Sequence, residues 1–130
     1  MKRRQFLKQL PFFPLTLGMA AKAQPTKKSP AVLLNQFSIA GFQYYEGPRL
    51  LAFLKPGMAV RLIAQPNHPE DPFAVAIYWK RFQLGYVPRS DNKHISRMLQ
   101  RGIALQARIW QVNPEEPSWH QVKVKIWLES

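Results

Sequence analysis

Three tyrosines and four cations fall near the ends of the predicted strands: Tyr44, Tyr45 and Tyr86 with Arg49, Arg61, Arg89 and Lys93. Aromatic faces that stack bases, beside basic groups that follow a sugar-phosphate backbone, are the chemistry for holding single-stranded nucleic acid. Each stacked base contributes about 1–3 kcal/mol. Asp71 adds a carboxylate in the same stretch. Standing before Pro72, it can build an Asx-type turn on its own backbone. Tyr45 also reads as a rim or core residue, and Arg89 as a solvated cation beside a helix start.

Groups for covalent chemistry are scarce. His68, His94 and His120 fall on three different predicted elements and lack the two-His helical spacing of a zinc enzyme. No glycine-rich phosphate loop, Gly-x-Ser-x-Gly elbow or paired-carboxylate motif occurs. The chain has no cysteine, which excludes disulfides, thiolate zinc sites and thiol nucleophiles. The expectation is a binding module without catalysis, metal or cofactor.

The elements that must position these residues read as short strands. Leu34 to Phe42 forms a strand with Phe37 and Ile39 on one face, and Gly41 marks a bulge or a close backbone approach. Tyr44 to Pro48 is a loop, and Arg49 to Leu54 makes about one and a half helical turns before Pro56-Gly57. Ala59 to Gln65 alternates as a half-exposed strand. Pro66, Pro69 and Pro72 make the following segment a rigid loop. Phe73 to Trp79 and Phe82 to Val87 form a hairpin around Lys80-Arg81, a turn without Gly or Asn. Ser90 or Asp91 caps a helix over about residues 91–101, with Gly102 beyond its end. Ile103 to Val112 and Trp119 to Leu128 are the last strands, joined through Asn113-Pro117. Six short strands favour a mainly β fold, a small OB- or SH3-like barrel with one or two short helices and few open edges. At 46% hydrophobic content, one core is feasible without a metal, since each large buried apolar side chain contributes about 1.5–3 kcal/mol.

Phe42-Gln43-Tyr44-Tyr45, then Asp71-Pro72-Phe73-Ala74-Val75, then Gly85-Tyr86-Val87-Pro88-Arg89, followed by Asn92 to Gly102, resemble in this order the HIRAN domain. HIRAN is a small β-rich module of fork-remodelling helicases, also found as a stand-alone bacterial protein. The resemblance implies binding to DNA, particularly exposed single-stranded ends. It assigns Tyr44 to the terminal nucleotide, Asp71 to a free 3′ hydroxyl, Arg89 to a phosphate and Tyr86 to the wall of the same groove. Two positions depart from the pattern of end-binding members. Gln43 stands where they tend to have Arg, and Glu70 where they tend to have an aromatic. Loss of a cation and gain of an acid both oppose a polyanion.

The N-terminus carries a separate signal. Lys2-Arg3-Arg4-Gln5-Phe6-Leu7-Lys8 precedes a mildly apolar run from Pro11 to Ala21 and then Ala21-Lys22-Ala23-Gln24. Paired Arg3 and Arg4 with Phe6 and Leu7, ahead of small residues, read as a twin-arginine export signal over 1–23, cleaved after Ala23. The apolar run falls short of the roughly 20 residues that span a bilayer. Residues 24–31 form a Pro- and Lys-bearing linker, and 32–130 the single domain. Losing the leader removes five of the 19 Lys and Arg and none of the seven acids, so the formal charge falls from +12 to +7. The processed domain remains basic and attracts polyanions. Export through the twin-arginine machinery implies a periplasmic or secreted location, and an unused leader a cytoplasmic one. The alternative function is an exported interaction or ligand-binding protein that uses the same groove for a cell-envelope partner.

Overall fold

The computed structural model describes residues 31–129. The leader with Arg3, Arg4, Phe6 and Leu7, its expected cleavage site at Ala21, Ala23 and Gln24, and most of the linker lie outside the described residues.

Six strands form one antiparallel sheet: β1 (Val32–Ser38), β2 (Ala59–Ala64), β3 (Val75–Trp79), β4 (Phe82–Tyr86), β5 (Leu105–Val112) and β6 (Val122–Leu128). Their spatial order is β1-β6-β5-β2-β3-β4. The two outer strands meet where Ala40, just beyond β1, pairs with Tyr86 at the end of β4. Ala40 N–H donates to the Tyr86 carbonyl at 2.8 Å, and Tyr86 N–H returns the bond at 2.9 Å. This pair turns an open sheet into a barrel and removes an exposed edge there. The mainly β, OB-like barrel is the architecture that the strand pattern implies.

Gly85 makes the seam possible. Its φ is +148°, and a Cβ placed there would run into the Ala40 carbonyl oxygen and stand 2.6 Å from Ile39 Cγ2. Glycine lets the two backbones touch.

Alternation along β6 separates Val122, Val124 and Ile126, all buried, from Lys123, Lys125 and Trp127. Their side chains join Phe37, Ile39, Phe42, Leu54, Ile77, Leu84 and Ile109 in one core. In β3, Val75, Ala76 and Ile77 are buried in succession because both sheet faces are covered at that point. Among the described residues two α-helices complete the fold: a single turn α1 (Gly47–Leu50), continued as a 3₁₀ turn over Leu51–Phe53, and α2 (Arg89–Gln100). Leu50 and Leu54 anchor the first segment, and Ile95 and Ser96 are the fully buried residues of α2.

Several boundaries differ from the sequence expectation for identifiable reasons. Strand β1 ends at Ser38, and Phe42 sits in a 3₁₀ turn over Phe42–Tyr44. Gly41, at φ +71°, begins that turn, with Tyr44 N–H bonded to its carbonyl at 2.9 Å. The irregularity in β1 lies between Leu33 and Asn35 instead. Helix α2 starts at Arg89 behind Pro88, not behind a Ser90 or Asp91 cap. The Asp91 carboxylate is occupied by the Asn35 side-chain amide (2.8 Å) and the Ser90 hydroxyl (3.0 Å). Strand β5 begins at Leu105 because Ile103 still belongs to the helix end. Its N–H bonds Met98 O at 3.0 Å while Gly102 N–H bonds Leu99 O at 3.0 Å, the paired pattern that closes a helix on a left-handed glycine. Trp119 falls in a 3₁₀ turn over Ser118–His120, ahead of β6. The Lys80-Arg81 turn forms as expected between Trp79 and Phe82, with Lys80 at φ +55° supplying the conformation usually left to Gly or Asn.

Candidate functional site

The strand β4 ends where its last residue can face two loops at once. Tyr86 is held by its hydroxyl, which donates to Gln65 Oε1 at 2.9 Å. Its ring is flanked edge-on by Tyr45 (centroids 5.8 Å apart) and by His68 (5.6 Å). The ring is thus fixed on three sides by one hydrogen bond and two aromatic edges. Gly41 and the 3₁₀ turn swing Tyr44 out beside it, 78% exposed, with its faces open to solvent.

The proline-stiffened loop brings Asp71 into the same lining as Tyr44 and Tyr86. One carboxylate oxygen accepts the Phe73 main-chain N–H at 2.9 Å, forming the Asx turn. The other accepts the Asn92 side-chain amide at 2.9 Å and lies 3.5 Å from Arg89 Nε. The Arg89 side chain is 72% exposed and that of Asp71 15%, so the ion pair is weak and the amide bonds fix the acid. The Phe73 N–H holds the Asp71 carboxyl below the usual carboxylate range. Burial opposes this, while Asn92, Arg89 and His68 reinforce it. Tyr45 moves the other way: burial of its ring, then the neighbouring Tyr86 hydroxyl, Glu70 and Tyr78, raise its phenol above the ordinary value.

Tyr44, Asp71, Tyr86 and Arg89 line a single cavity of about 260 Å³. Lys93 does not. Its ammonium stands over the Phe73 ring at 5.1 Å, beside Arg97 at 5.3 Å, on the flank of α2. Glu70 lines the cavity next to Asp71, leaving Arg89 as the one cation among the described lining residues against two carboxylates. Gln43 is not part of the lining. Its side-chain oxygen is buried without a hydrogen-bond partner.

Three lining residues carry more weight than their sequence context suggests. Tyr45 forms wall as well as rim. His68 stands three positions before Asp71 in the same stiff loop, a proximity the sequence offered. Asn92 is 4% exposed and joins α2 to Asp71. It lies one turn after Arg89 on the same helix face, a relation visible only once the helix is known to start at Arg89.

The architecture is shared with solved structures. A Lactobacillus plantarum protein superimposes with a TM-score of 0.64 at 24% identity, covering 78% of this chain and 98% of that one. The HIRAN domain of human HLTF superimposes with a TM-score of 0.54 at 15% identity, covering 77% of this chain and 81% of that one. At these identities the likeness speaks to the fold. Comparison with curated proteins gives no match. The family model described as the HIRAN domain matches residues 33–130, nearly the whole of the barrel, and the chain therefore belongs to the HIRAN domain family.

Proposed function

We propose that this HIRAN domain is a non-catalytic module for single-stranded or end-exposed DNA, taking a terminal nucleotide between Tyr44 and Tyr86 with its sugar hydroxyl toward Asp71. The observation that carries the reading is the convergence of an exposed tyrosine, an immobilised tyrosine and a fixed carboxylate on one cavity. Membership of a family known for DNA-binding modules supports it.

The charge balance of the cavity refines the reading. Glu70 and Asp71 against Arg89 disfavour a phosphate deep inside and favour a neutral hydrogen-bonding group. A carboxylate offers about four lone-pair positions. Phe73 and Asn92 donate to Asp71 at hydrogen-bond length, which leaves capacity for a ligand hydroxyl. The lowered pKa keeps Asp71 ionised as an acceptor and makes it a poor general base, which favours binding over hydrolysis.

The test is titration of a fluorescent oligonucleotide ending in a 3′ hydroxyl, with the 3′-phosphorylated strand as competitor, at two salt concentrations. Wild-type protein is expected to prefer the hydroxyl end. Tyr44→Ala should weaken binding by the worth of one stacked base, about 1–3 kcal/mol. Asp71→Asn should erase the preference. Absence of binding at low salt, or variants indistinguishable from wild type, would refute the proposal.

The leader sequence supports export of the folded domain by the twin-arginine machinery, where the cleft would meet extracellular DNA or an envelope partner. Sequencing the N-terminus of protein from fractionated cells distinguishes this from cytoplasmic residence. A start at Gln24 in the periplasm supports export, and an intact Arg3-Arg4 leader in the cytoplasm overturns it.

A further inference from the structure

The cleft leaves one requirement unmet: its two carboxylates and single cation cannot supply the phosphate attraction that a strand needs. A second hollow of about 510 Å³ adjoins it, sharing the walls Tyr44 and Tyr45 and continuing over Tyr78, Arg81 and Phe82. This hollow lies on the β3–β4 hairpin, where basic and aromatic side chains interleave. Trp79 and Phe82 stack at 6.3 Å with 28° between planes. The Arg81 guanidinium stands 4.6 Å from the Phe82 ring, Lys80 5.1 Å from Trp79, and Arg61 5.4 Å from Tyr78. Glu46 faces the same hollow, but its carboxylate is taken by Arg49 at 2.7 Å, so the two charges cancel locally. Arg61, Lys80 and Arg81 form no ion pair among the described residues.

We infer that the hairpin is a second nucleic-acid subsite, in which Arg61 and Arg81 contact phosphates of the nucleotides that lead away from the cleft over Tyr44. The inference rests on the cleft reading and adds the path of the strand. Shared tyrosine walls connect the hairpin to the cleft. Of the other cations set over rings, Lys93 and Arg97 sit over Phe73 and Lys125 over Trp110, which line neither hollow, while Arg49, over Phe82, is taken by Glu46. Arginines already pre-oriented over aromatic rings lose less freedom on meeting a phosphate, and the rings themselves offer stacking faces to bases.

The experiment titrates the full chain with a three-nucleotide and a twelve-nucleotide oligothymidylate over a range of salt. The short strand reports the cleft and the long one reports cleft and hairpin together. Removing two phosphate contacts by Arg61→Gln with Arg81→Gln should flatten the logarithmic salt dependence of the long strand by about 1.4. Between about 50 and 200 mM salt, wild-type protein should therefore lose about sevenfold more affinity than the variant. Short-strand affinity should stay unchanged. Arg61 also donates to the Lys80 carbonyl at 2.7 Å, so Arg81→Gln alone is the second variant, with half the change in slope expected. Arg81→Lys should restore the slope. A long-strand salt dependence identical to wild type, or one lost instead on Lys93→Gln with Arg97→Gln, overturns the hairpin subsite while the cleft stands. Hairpin-dependent binding of the long strand without any short-strand binding refutes the cleft and upholds the subsite. Failure of both strands to bind overturns both.

Discussion

Asp71 joins the loop, the helix and the cleft, so Asp71→Ala should cost stability as well as recognition. Its bond from the Phe73 N–H is charge-assisted, a type that contributes about 1.5–3 kcal/mol. Truncation also strands the amide of Asn92, which is 4% exposed and has Asp71 as its acceptor at 2.9 Å. An orphaned buried donor costs about 1–3 kcal/mol. The contact with Arg89 adds almost nothing, because that side chain is largely in water. These terms overlap, and the expected loss is about 2–4 kcal/mol, with a melting shift of about 10–25 °C for a domain of this size. Urea unfolding followed by tryptophan fluorescence measures it. Asp71→Asn keeps an acceptor for Phe73 but sets an NH2 group against the Asn92 amide, so it should lose about 1–2 kcal/mol, less than Asp71→Ala, which makes it the better variant for binding assays. Adding Asn92→Ala to Asp71→Ala removes the orphan and should recover about 1–2 kcal/mol relative to additivity. A loss below about 0.5 kcal/mol on Asp71→Ala, or strict additivity in the cycle, would show that these bonds do not hold the loop.

Acidification offers a second check on the same residue. A carboxyl whose folded pKa is depressed contributes stability above its unfolded value near 3.9, and that stability is lost as pH falls through the folded value. Wild-type protein should therefore lose more stability than Asp71→Asn below about pH 4, read by denaturant midpoints. At the alkaline end the sign reverses: Tyr45, with its raised pKa, favours the neutral phenol, so its contribution holds below about pH 10 and disappears as pH climbs through the folded value. The ultraviolet titration difference between wild type and Tyr45→Phe should appear above the ordinary tyrosine range. Gly85→Ala should destabilise by roughly 2–4 kcal/mol, because its methyl meets the Ala40 carbonyl and its φ is disfavoured for alanine. Lys80→Asn should raise stability by up to about 1 kcal/mol in thermal unfolding, since Asn tolerates the left-handed turn that Lys80 now occupies.

What the sequence conveyed depended on the range of the interaction. The alternation of Val122, Val124 and Ile126 with Lys123 and Lys125 exposes β6 because a strand with one dry face needs only its own residues to declare it. The Lys80-Arg81 turn is equally local, bounded by two apolar runs. The helix start escaped because Asp91, a good cap by type, is bound by Asn35, 56 positions away. The barrel seam escaped for the same reason. Gly85 inside an apolar strand hints at a close approach, but nothing nearby names Ala40 as the partner. In the cleft, Tyr44, Asp71, Tyr86 and Arg89 came from the family pattern, and the structure joins them in one hollow. Lys93 lies close to them in sequence, yet it points along α2 to Phe73. An isolated Asn or His has many ordinary uses, and only the fold turns Asn92 toward Asp71 and His68 toward Tyr86.

The meeting of Ala40 and Tyr86 has a thermodynamic corollary. Two main-chain bonds fasten the cylinder at that point, and both residues also border the cleft. A guest that touches both lips acts as a clasp across the join, since prising the strands apart must first expel it. Occupancy then adds RT ln(1 + [L]/Kd) to the local cost of opening. The amide protons of Ala40 and Tyr86, which solvent can exchange only when the clasp is undone, become the natural recorders of whatever the cleft holds.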